Sequence, residues 1–315
     1  MSGGVQFFEV SEDQAGQRLD NFLMARLKGA PKTLIYRVIR KGEVRVNKGR
    51  AKADRRVVAG DVIRVPPMRL SEPKVLHAPS AQLVATLENA ILYDQDGLLI
   101  VNKPSGLAVH GGSGINLGLI ESLRQLPGNH GFLELVHRLD RETSGCVMVA
   151  RKRSVLKFLQ DGLRQRGVIQ KSYCALVRGA WPKHLRSVDV PLLRNEAVGG
   201  ERYVRPHSEG KPSLTEFTVL ERYAEGTLME AKPVTGRTHQ IRVHAKHVGH
   251  ALVGDEKYGD DSFNQSMRAF GFKRLFLHAR SLEVPLPSGE VIRVEAPLPA
   301  DLTKALQQLA PLARG

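Results

Sequence analysis

Two adjacent prolines, Pro66 and Pro67, stop a strand and cut the sequence into two parts of different periodicity, because proline fixes φ and has no N–H to give a ladder. Ahead of them, Leu19, Phe22, Leu23 and Leu27 recur at helical spacing, and so do Leu34, Ile35, Val38 and Ile39. Glu43-Val44-Arg45-Val46-Asn47-Lys48-Gly49 then alternates as a strand running into a turn, and Gly60-Asp61-Val62-Ile63-Arg64-Val65 repeats turn then strand. Two short helices and a small sheet are expected over 1–66. No period survives from Pro66 to about Gln82, a stretch that includes Pro73 and Pro79, so 67–89 reads as a linker. Beyond it, short strands at 90–93, 98–102, 145–150, 173–177, 214–220 and 228–232 are interrupted by helical patterns near 117–125, 154–166, 238–247 and 302–312. Strands in runs with scattered helices predict an α+β fold over 90–315.

Charge is distributed as unevenly as periodicity. The chain carries a net +15, of which the segment 16–70 holds +11, with 15 Lys and Arg against four acids. A solvated basic surface is the ordinary meaning of such a run. Here few acids are interleaved to pair with the cations, which leaves a field suited to phosphate backbones and to salt-sensitive binding. Gly16-Gln17-Arg18-Leu19-Asp20, Arg40-Lys41-Gly42, Val44-Arg45-Val46-Asn47 and Gly60-Asp61, set on a helix–helix–hairpin order, resemble the S4 RNA-binding domain. That resemblance makes Arg18, Lys32, Arg37, Arg40, Lys41, Arg45 and Lys48 candidate RNA contacts. No apolar run approaches the ~20 residues of a membrane span. The start, MSGGVQFFEVSEDQAGQ, lacks a basic and then apolar leader, so a cytoplasmic location is expected. Cys146 and Cys174 form no C-x-x-C pair and read as buried, small hydrophobes rather than metal ligands or a disulfide.

Chemistry concentrates in two segments of the larger part. In His137-Arg138-Leu139-Asp140-Arg141-Glu142-Thr143-Ser144-Gly145, two arginines flank one carboxylate, a polar turn follows, and an apolar strand to Ala150 anchors the whole. A single Asp is most often a salt-bridged structural group. This context, a side chain held at a rigid edge between guanidiniums, favours a functional anion. In Gly236-Arg237-Thr238-His239-Gln240-Ile241-Arg242-Val243-His244, Thr238 is placed to cap a helix and Arg242 lies on the same face. A basic surface helix end is the plain alternative. Metal binding by His239 and His244 is weak, because their i, i+5 spacing separates them by about 140°.

These two segments, together with Asn102-Lys103-Pro104-Ser105-Gly106, Val109-His110 and Lys171-Ser172-Tyr173-Cys174-Ala175-Leu176-Val177-Arg178-Gly179, resemble in order the motifs of the RluA family of pseudouridine synthases. The likeness runs over nearly the whole chain, S4-like module included, and is greatest to the type that modifies uridines of large-subunit, 23S ribosomal RNA. It implies a catalytic domain with a mixed, mainly antiparallel central sheet and flanking helices. It also implies no cofactor and no metal, consistent with the lack of a dinucleotide fingerprint or P-loop. By the resemblance Asp140 is the catalytic carboxylate, attacking the nucleoside or removing a sugar proton. Arg242 is its charge partner and Tyr173 the ring that stacks on the base. Arg138 replaces the base that is flipped into the pocket. Ile241 and Leu277 supply apolar walls, and Arg237, His239 and Gln240 complete the substrate-binding set. The implied partner is 23S ribosomal RNA, naked or in ribosome assembly intermediates, bound by a monomer with no membrane association. The loops at 111–114 and 194–211 are expected to read RNA shape. Two rivals stay open on the residues alone: a non-catalytic RNA-binding or ribosome-assembly protein, and a metal-dependent phosphodiester hydrolase using His137, Asp140, His239 and His244.

Overall fold

The computed structural model describes residues 4–27, 29–68, 78–111, 117–129, 131–196 and 202–312. It divides into two compact units, Met1–His77 and Ala78–Gly315.

The first unit runs β1 (Gln6–Glu9), α1 (Leu19–Arg26), α2 (Lys32–Arg40), β2 (Arg45–Val46), β3 (Gly49–Arg50) and β4 (Val62–Val65). The strands form an antiparallel sheet in the order β1-β4-β2-β3, and its inner face packs Phe8, Val46, Ile63 and Val65 against Phe22, Leu23, Ile35 and Val38 of the helices. The tight β2–β3 hairpin turns through Asn47 and Lys48, both with positive φ (49° and 68°). That geometry matches strand twist and favours Asn. Asp61 secures the turn by accepting from Asn47 Nδ2 at 2.7 Å and from the Val58 N–H at 3.0 Å. Strand β1, which the sequence pattern did not reveal, covers the free edge of β4.

The second unit continues with α3 (Ala81–Asn89), β5 (Ile91–Gln95), β6 (Leu98–Lys103), α4 (Leu119–Leu123), β7 (Glu134–Leu135), β8 (Ser144–Ala150), α5 (Arg153–Arg164) and β9 (Gln170–Arg178). Then follow β10 (Ser187–Asp189), β11 (Leu192–Glu196), β12 (Arg202–Pro206), β13 (Leu214–Arg222), β14 (Gly226–Pro233), α6 (Gln240–His247), α7 (Asp261–Met267), β15 (Leu277–Pro285), β16 (Val291–Glu295) and α8 (Ala300–Leu306). Among the described residues the main sheet has the order β10-β13-β14-β9-β15-β8-β6-β5, with β16 on β15 and β7 on β8. The β15–β8 pair is parallel and the other pairs are antiparallel, so the fold is α+β with a mixed, mainly antiparallel sheet and flanking helices.

Strand β8 explains why its sequence shows no alternation: all seven residues are buried. Cys146 and Met148 join Leu98 and Ile100 in one core, while Val147 and Val149 join Leu99 and Val101 in the core on the opposite face. Both cysteines are buried and free. The stretch 67–89 is not a linker throughout. Ser80 Oγ accepts from the Leu83 N–H at 3.2 Å and caps α3, whose Leu87 is fully buried. Short of a full apolar stripe, this helix gave too weak a period to be seen. Residues 69–77 lie outside those described.

Candidate active site

A cavity of the second unit, about 530 Å³, is lined by Arg138, Asp140, Tyr173, Arg237, His239, Gln240, Ile241, Arg242 and Leu277 among others. Residues far apart in the sequence, from Arg138 to Leu277, therefore meet at one place. The loop carrying Asp140 is braced from the motif at 102–106. Lys103, wholly buried, donates from Nζ to the carbonyls of Pro104, Leu107 and Arg141 at 2.9, 2.7 and 3.0 Å. Burial lowers its pKa to about 7, yet carbonyl oxygens receive all three of its bonds. Gly106 N–H donates to Arg141 O, Arg141 Nε donates back to Gly106 O, and Ser105 Oγ donates to Glu142 O. The end of the segment enters β8 through Gly145, at φ 108°, where an added Cβ would collide with the Ala279 carbonyl of β15. Only glycine lets β8 and β15 approach this closely.

Arg242 reaches Asp140 from α6, Nη1 to Oδ2 at 3.2 Å. Its other two donating nitrogens, Nε and Nη2, make a bidentate pair with Asp255 at 2.7 and 2.8 Å. Burial opposes charge on Arg242, but the bonds to Asp255 and Asp140 outweigh it and raise its pKa above the ordinary arginine value. Burial likewise pushes Asp255 up, and Arg242 with the N–H groups of Tyr258 and Lys257 brings it below the ordinary carboxylate value. The Arg242 guanidinium also lies 5.0 Å from the centroid of the Tyr258 ring. Asp140 thus faces a cation that is fixed from behind, a geometry in which one charge-assisted bond is offered to the cavity and the rest are spent on position.

His239 adds a second group beside Asp140, Nε2 to Oδ1 at 3.7 Å. Burial lowers its pKa, against the opposing charge of Asp140, so the ring is neutral. Its Nδ1 is 2.7 Å from the Tyr258 hydroxyl, which already accepts from the Val204 N–H at 3.0 Å. The hydroxyl and Nδ1 thus share a hydrogen bond whose donor follows the tautomer of the ring, and Nε2 is the nitrogen nearer Asp140. His239, not Thr238, is the N-cap of α6, and it has the left-handed φ of 54°. The expected Thr238 cap fails because Gln240 organises this turn instead. Its Oε1 accepts from Thr235 Oγ1 and the Arg237 N–H, and its Nε2 donates to Leu214 O and Thr215 Oγ1. Left-handed backbone at a non-glycine residue costs about 1 kcal/mol or more and is tolerated where surroundings over-determine it.

Tyr173 on β9 faces the cavity with its phenol pKa raised, by burial first and by the Asp140 charge second. Ile241 and Leu277 are buried walls, and Arg138 and Arg237 are exposed at the rim, Arg237 Nε donating to Pro212 O. His137 lies in the wall as an acceptor, its Nε2 receiving the Met148 N–H at 3.0 Å, and burial lowers its pKa to about 4. His244 is buried between Thr215 and Ser213, with Nδ1 and Nε2 both engaged. The four-residue hydrolase constellation is therefore not assembled. Among the described residues no group of three or more His, Cys, Asp and Glu is placed to hold a metal ion.

Asp255 and Tyr258 were not singled out in the sequence, and Lys103 and Lys171 stood there only as members of motifs, with no role of their own. Lys171 also lines the cavity, with its pKa lowered by burial. A signal for Asp255 did exist in Gly254-Asp255-Glu256-Lys257-Tyr258-Gly259. A Cβ at Gly254 or Gly259 would strike the backbone of Arg274 or Asp255, so both glycines mark a tight turn around a buried acid. In the first unit, Arg18 is paired with buried Asp20 at 2.7 Å and Lys41 sits 3.9 Å from Glu43. Lys32, Arg37, Arg40 and Lys48 are exposed, and Arg45 is half-buried. Of the expected RNA-reading loops, 112–114 and 197–201 lie outside the described residues. The β11–β12 hairpin that flanks the second reaches the site by Val204 and by Tyr203, whose ring centroid is 4.8 Å from that of Tyr258.

Comparison with known proteins matches residues 97–247 to a model described as RNA pseudouridylate synthase and residues 17–63 to the S4 domain. The chain is 54% identical over 309 residues to ribosomal large subunit pseudouridine synthase C of Pasteurella multocida, covering 97% of this chain and 94% of that one. It is 52% identical to the protein of the same description from Escherichia coli, covering 97% of each. Among solved structures, human RNA pseudouridylate synthase domain containing 1 superposes with a TM-score of 0.59 at 31% identity over 75% of this chain and 92% of that one. Human RNA pseudouridylate synthase domain containing 4 gives a TM-score of 0.60 at 27% identity, over 74% and 98%.

Proposed function

Because this chain belongs to the RNA pseudouridylate synthase family, we propose that it isomerises specific uridines of 23S ribosomal RNA to pseudouridine, at more than one site, with Asp140 as the catalytic carboxylate. One observation carries the assignment of the residue: Asp140 stands at the cavity wall on a braced loop, opposite an arginine whose remaining donors are held by Asp255. The reaction breaks the N1–C1′ bond, turns the uracil and joins C5 to C1′. The C5 proton is lost and N1 gains one, so nothing is consumed and no donor is needed.

In this reading Asp140 acts on the ribose, either attacking it or removing a sugar proton, and both roles need a carboxylate whose position does not drift. Arg242 supplies that position and offsets the negative charge. Tyr173, neutral because its phenol pKa is raised, stacks on the base and is near enough to Asp140 to take part in the late proton transfer from C5. Ile241 and Leu277 exclude water, while Arg138 and Arg237 at the rim engage the flipped nucleotide's surroundings. The first unit supplies affinity for phosphates through its exposed cations. We further propose that the protein acts as a monomer in the cytoplasm; among the described residues no helix is long and apolar enough to cross a membrane.

Asp140→Asn and Asp140→Ala are expected to abolish pseudouridine formation on 23S rRNA while RNA binding persists. Full pseudouridine formation by either variant would sink the assignment. Mapping pseudouridines in 23S rRNA from cells with and without the chain identifies the target uridines. A deuterium label at the sugar C2′ separates the two roles of Asp140, since only proton removal there gives a primary isotope effect.

A further inference from the structure

On the outer face of the first unit's sheet only Arg45 is among the RNA contacts that the S4 resemblance implies. The strand register sets four residues directly opposite one another across it: Arg50 faces Arg45, Arg45 faces Arg64, and Arg64 faces Phe7. Directly paired residues on neighbouring strands project to the same side, here away from the buried Val46, Ile63 and Val65. At about 4.8 Å per strand the row spans roughly 14 Å. Phe7 is 65% exposed, and Val62, two residues from Arg64 on the same face, is 43% exposed.

Like charges directly opposite one another destabilise a sheet. Among the described residues no carboxylate lies within ion-pairing distance of Arg45, Arg50 or Arg64 to relieve this row. Arg64 donates to the Glu43 carbonyl, which fixes its direction without neutralising it. Glu9 stands opposite Val62 rather than in the row, and the Glu43 carboxylate lies 3.9 Å from Lys41. At the far end the Arg50 side chain leans over Gly42. There it borders a groove walled by Tyr36, Ile39, Ala51 and Ala53, with Arg40 and Lys52 at its edge. An apolar ring and a line of unneutralised guanidiniums thus follow one another on the outer face, and the last of them, Arg50, reaches from the β3 edge to the apolar groove beside α2.

We propose that this face is a track for single-stranded RNA, in which a base stacks on Phe7, successive phosphates lie on Arg64 and Arg45, and a further base enters the groove beside Tyr36. Single strands are bound where a cationic line follows the backbone and exposed aromatic rings accept bases of any sequence. A duplex presents no free base faces to either end of the track. The inference rests on the RNA-binding reading of the first unit but not on catalysis, so binding measured with the full chain carrying Asp140→Asn tests it apart from turnover.

The probe is a fluorescein-labelled 12-nucleotide RNA of mixed sequence without secondary structure, followed by anisotropy across salt concentrations. Arg45→Ala with Arg64→Ala should lower the magnitude of the slope of log K against log[salt] by about 1.4, the value for two phosphates of a single strand. Phe7→Ala should weaken binding about tenfold with the slope unchanged, as loss of one stacked base requires. Phe7→Trp should retain binding, and the indole emission it adds to that of buried Trp181 should be quenched by the unlabelled RNA. Circular dichroism melts of each variant show whether the sheet is intact. Affinity and salt slope equal to the parent in folded variants, or an added indole emission in Phe7→Trp that saturating RNA leaves unquenched, would overturn the proposal.

Discussion

At the scale of single residues, the site depends on a carboxylate that does not face the cavity. Asp255 holds Arg242 by two bonds and Arg242 holds Asp140 by one. Asp255→Asn keeps the shape but removes the charge and one acceptor, so Arg242 should lose its fixed direction and kcat should fall about 10–100-fold with RNA affinity nearly unchanged, measured by single-turnover and binding assays. Arg242→Lys should do worse, since an ammonium has no planar fork with which to grip two carboxylates. Two neutral histidines give a pH dependence of stability. His137 and His278 have pKa values lowered to about 4 by burial. The unfolded chain binds more protons than the folded one between about pH 4 and the ordinary value of 6.5. Their contribution is therefore complete above pH 6.5 and lost as the pH falls toward 4. Urea unfolding at pH 5 should show a stability roughly 4 kcal/mol below that at pH 7.5, and His278→Gln should shrink that difference by about half.

Among the elements, the ones with strong periodicity or glycine-punctuated ends were legible and the ones fixed by distant contacts were not. Helices α1 and α2 follow from the spacing of Leu19, Phe22 and Leu23 and of Ile35, Val38 and Ile39, all of which are buried. Strand β8 was visible as an apolar run because both its faces are covered. Strand β1 and helix α3 were missed, since Gln6–Glu9 and Ala81–Asn89 owe their form to an edge they cover and to the Ser80 cap rather than to a period of their own. The turn ahead of α6 was misread for a related reason: a threonine is the commoner cap, but Gln240 links this turn to β13 and fixes His239 as the first helical boundary. Asp140, Tyr173 and Arg242 stand in segments whose order is distinctive, whereas Asp255 and Tyr258 act through distant contacts and show in the sequence only as a turn between Gly254 and Gly259. Gly145→Ala tests the junction that positions Asp140. It adds strain at φ 108° and a collision with β15, so it should lower stability by about 3 kcal/mol or more and abolish activity, read from the urea midpoint and from pseudouridine yield.

For the whole molecule, each unit has its own core, with Leu19, Phe22 and Ile35 in one and the two faces of β8 in the other. Removing residues 1–77 should leave the second unit folded by circular dichroism, while affinity for rRNA falls and the salt slope flattens; an unchanged slope would show that the basic unit serves something other than phosphate binding. Within the second unit the strand order has a temporal meaning. Strand β15 lies between β8 and β9, yet it is made about a hundred residues or more after either begins. Strand β15 is what joins the strand that follows Asp140 to the strand that carries Tyr173, and it adds Leu277 to the cavity wall. The cavity is therefore complete only in a chain made through residues 277–285, however much of the sequence precedes them.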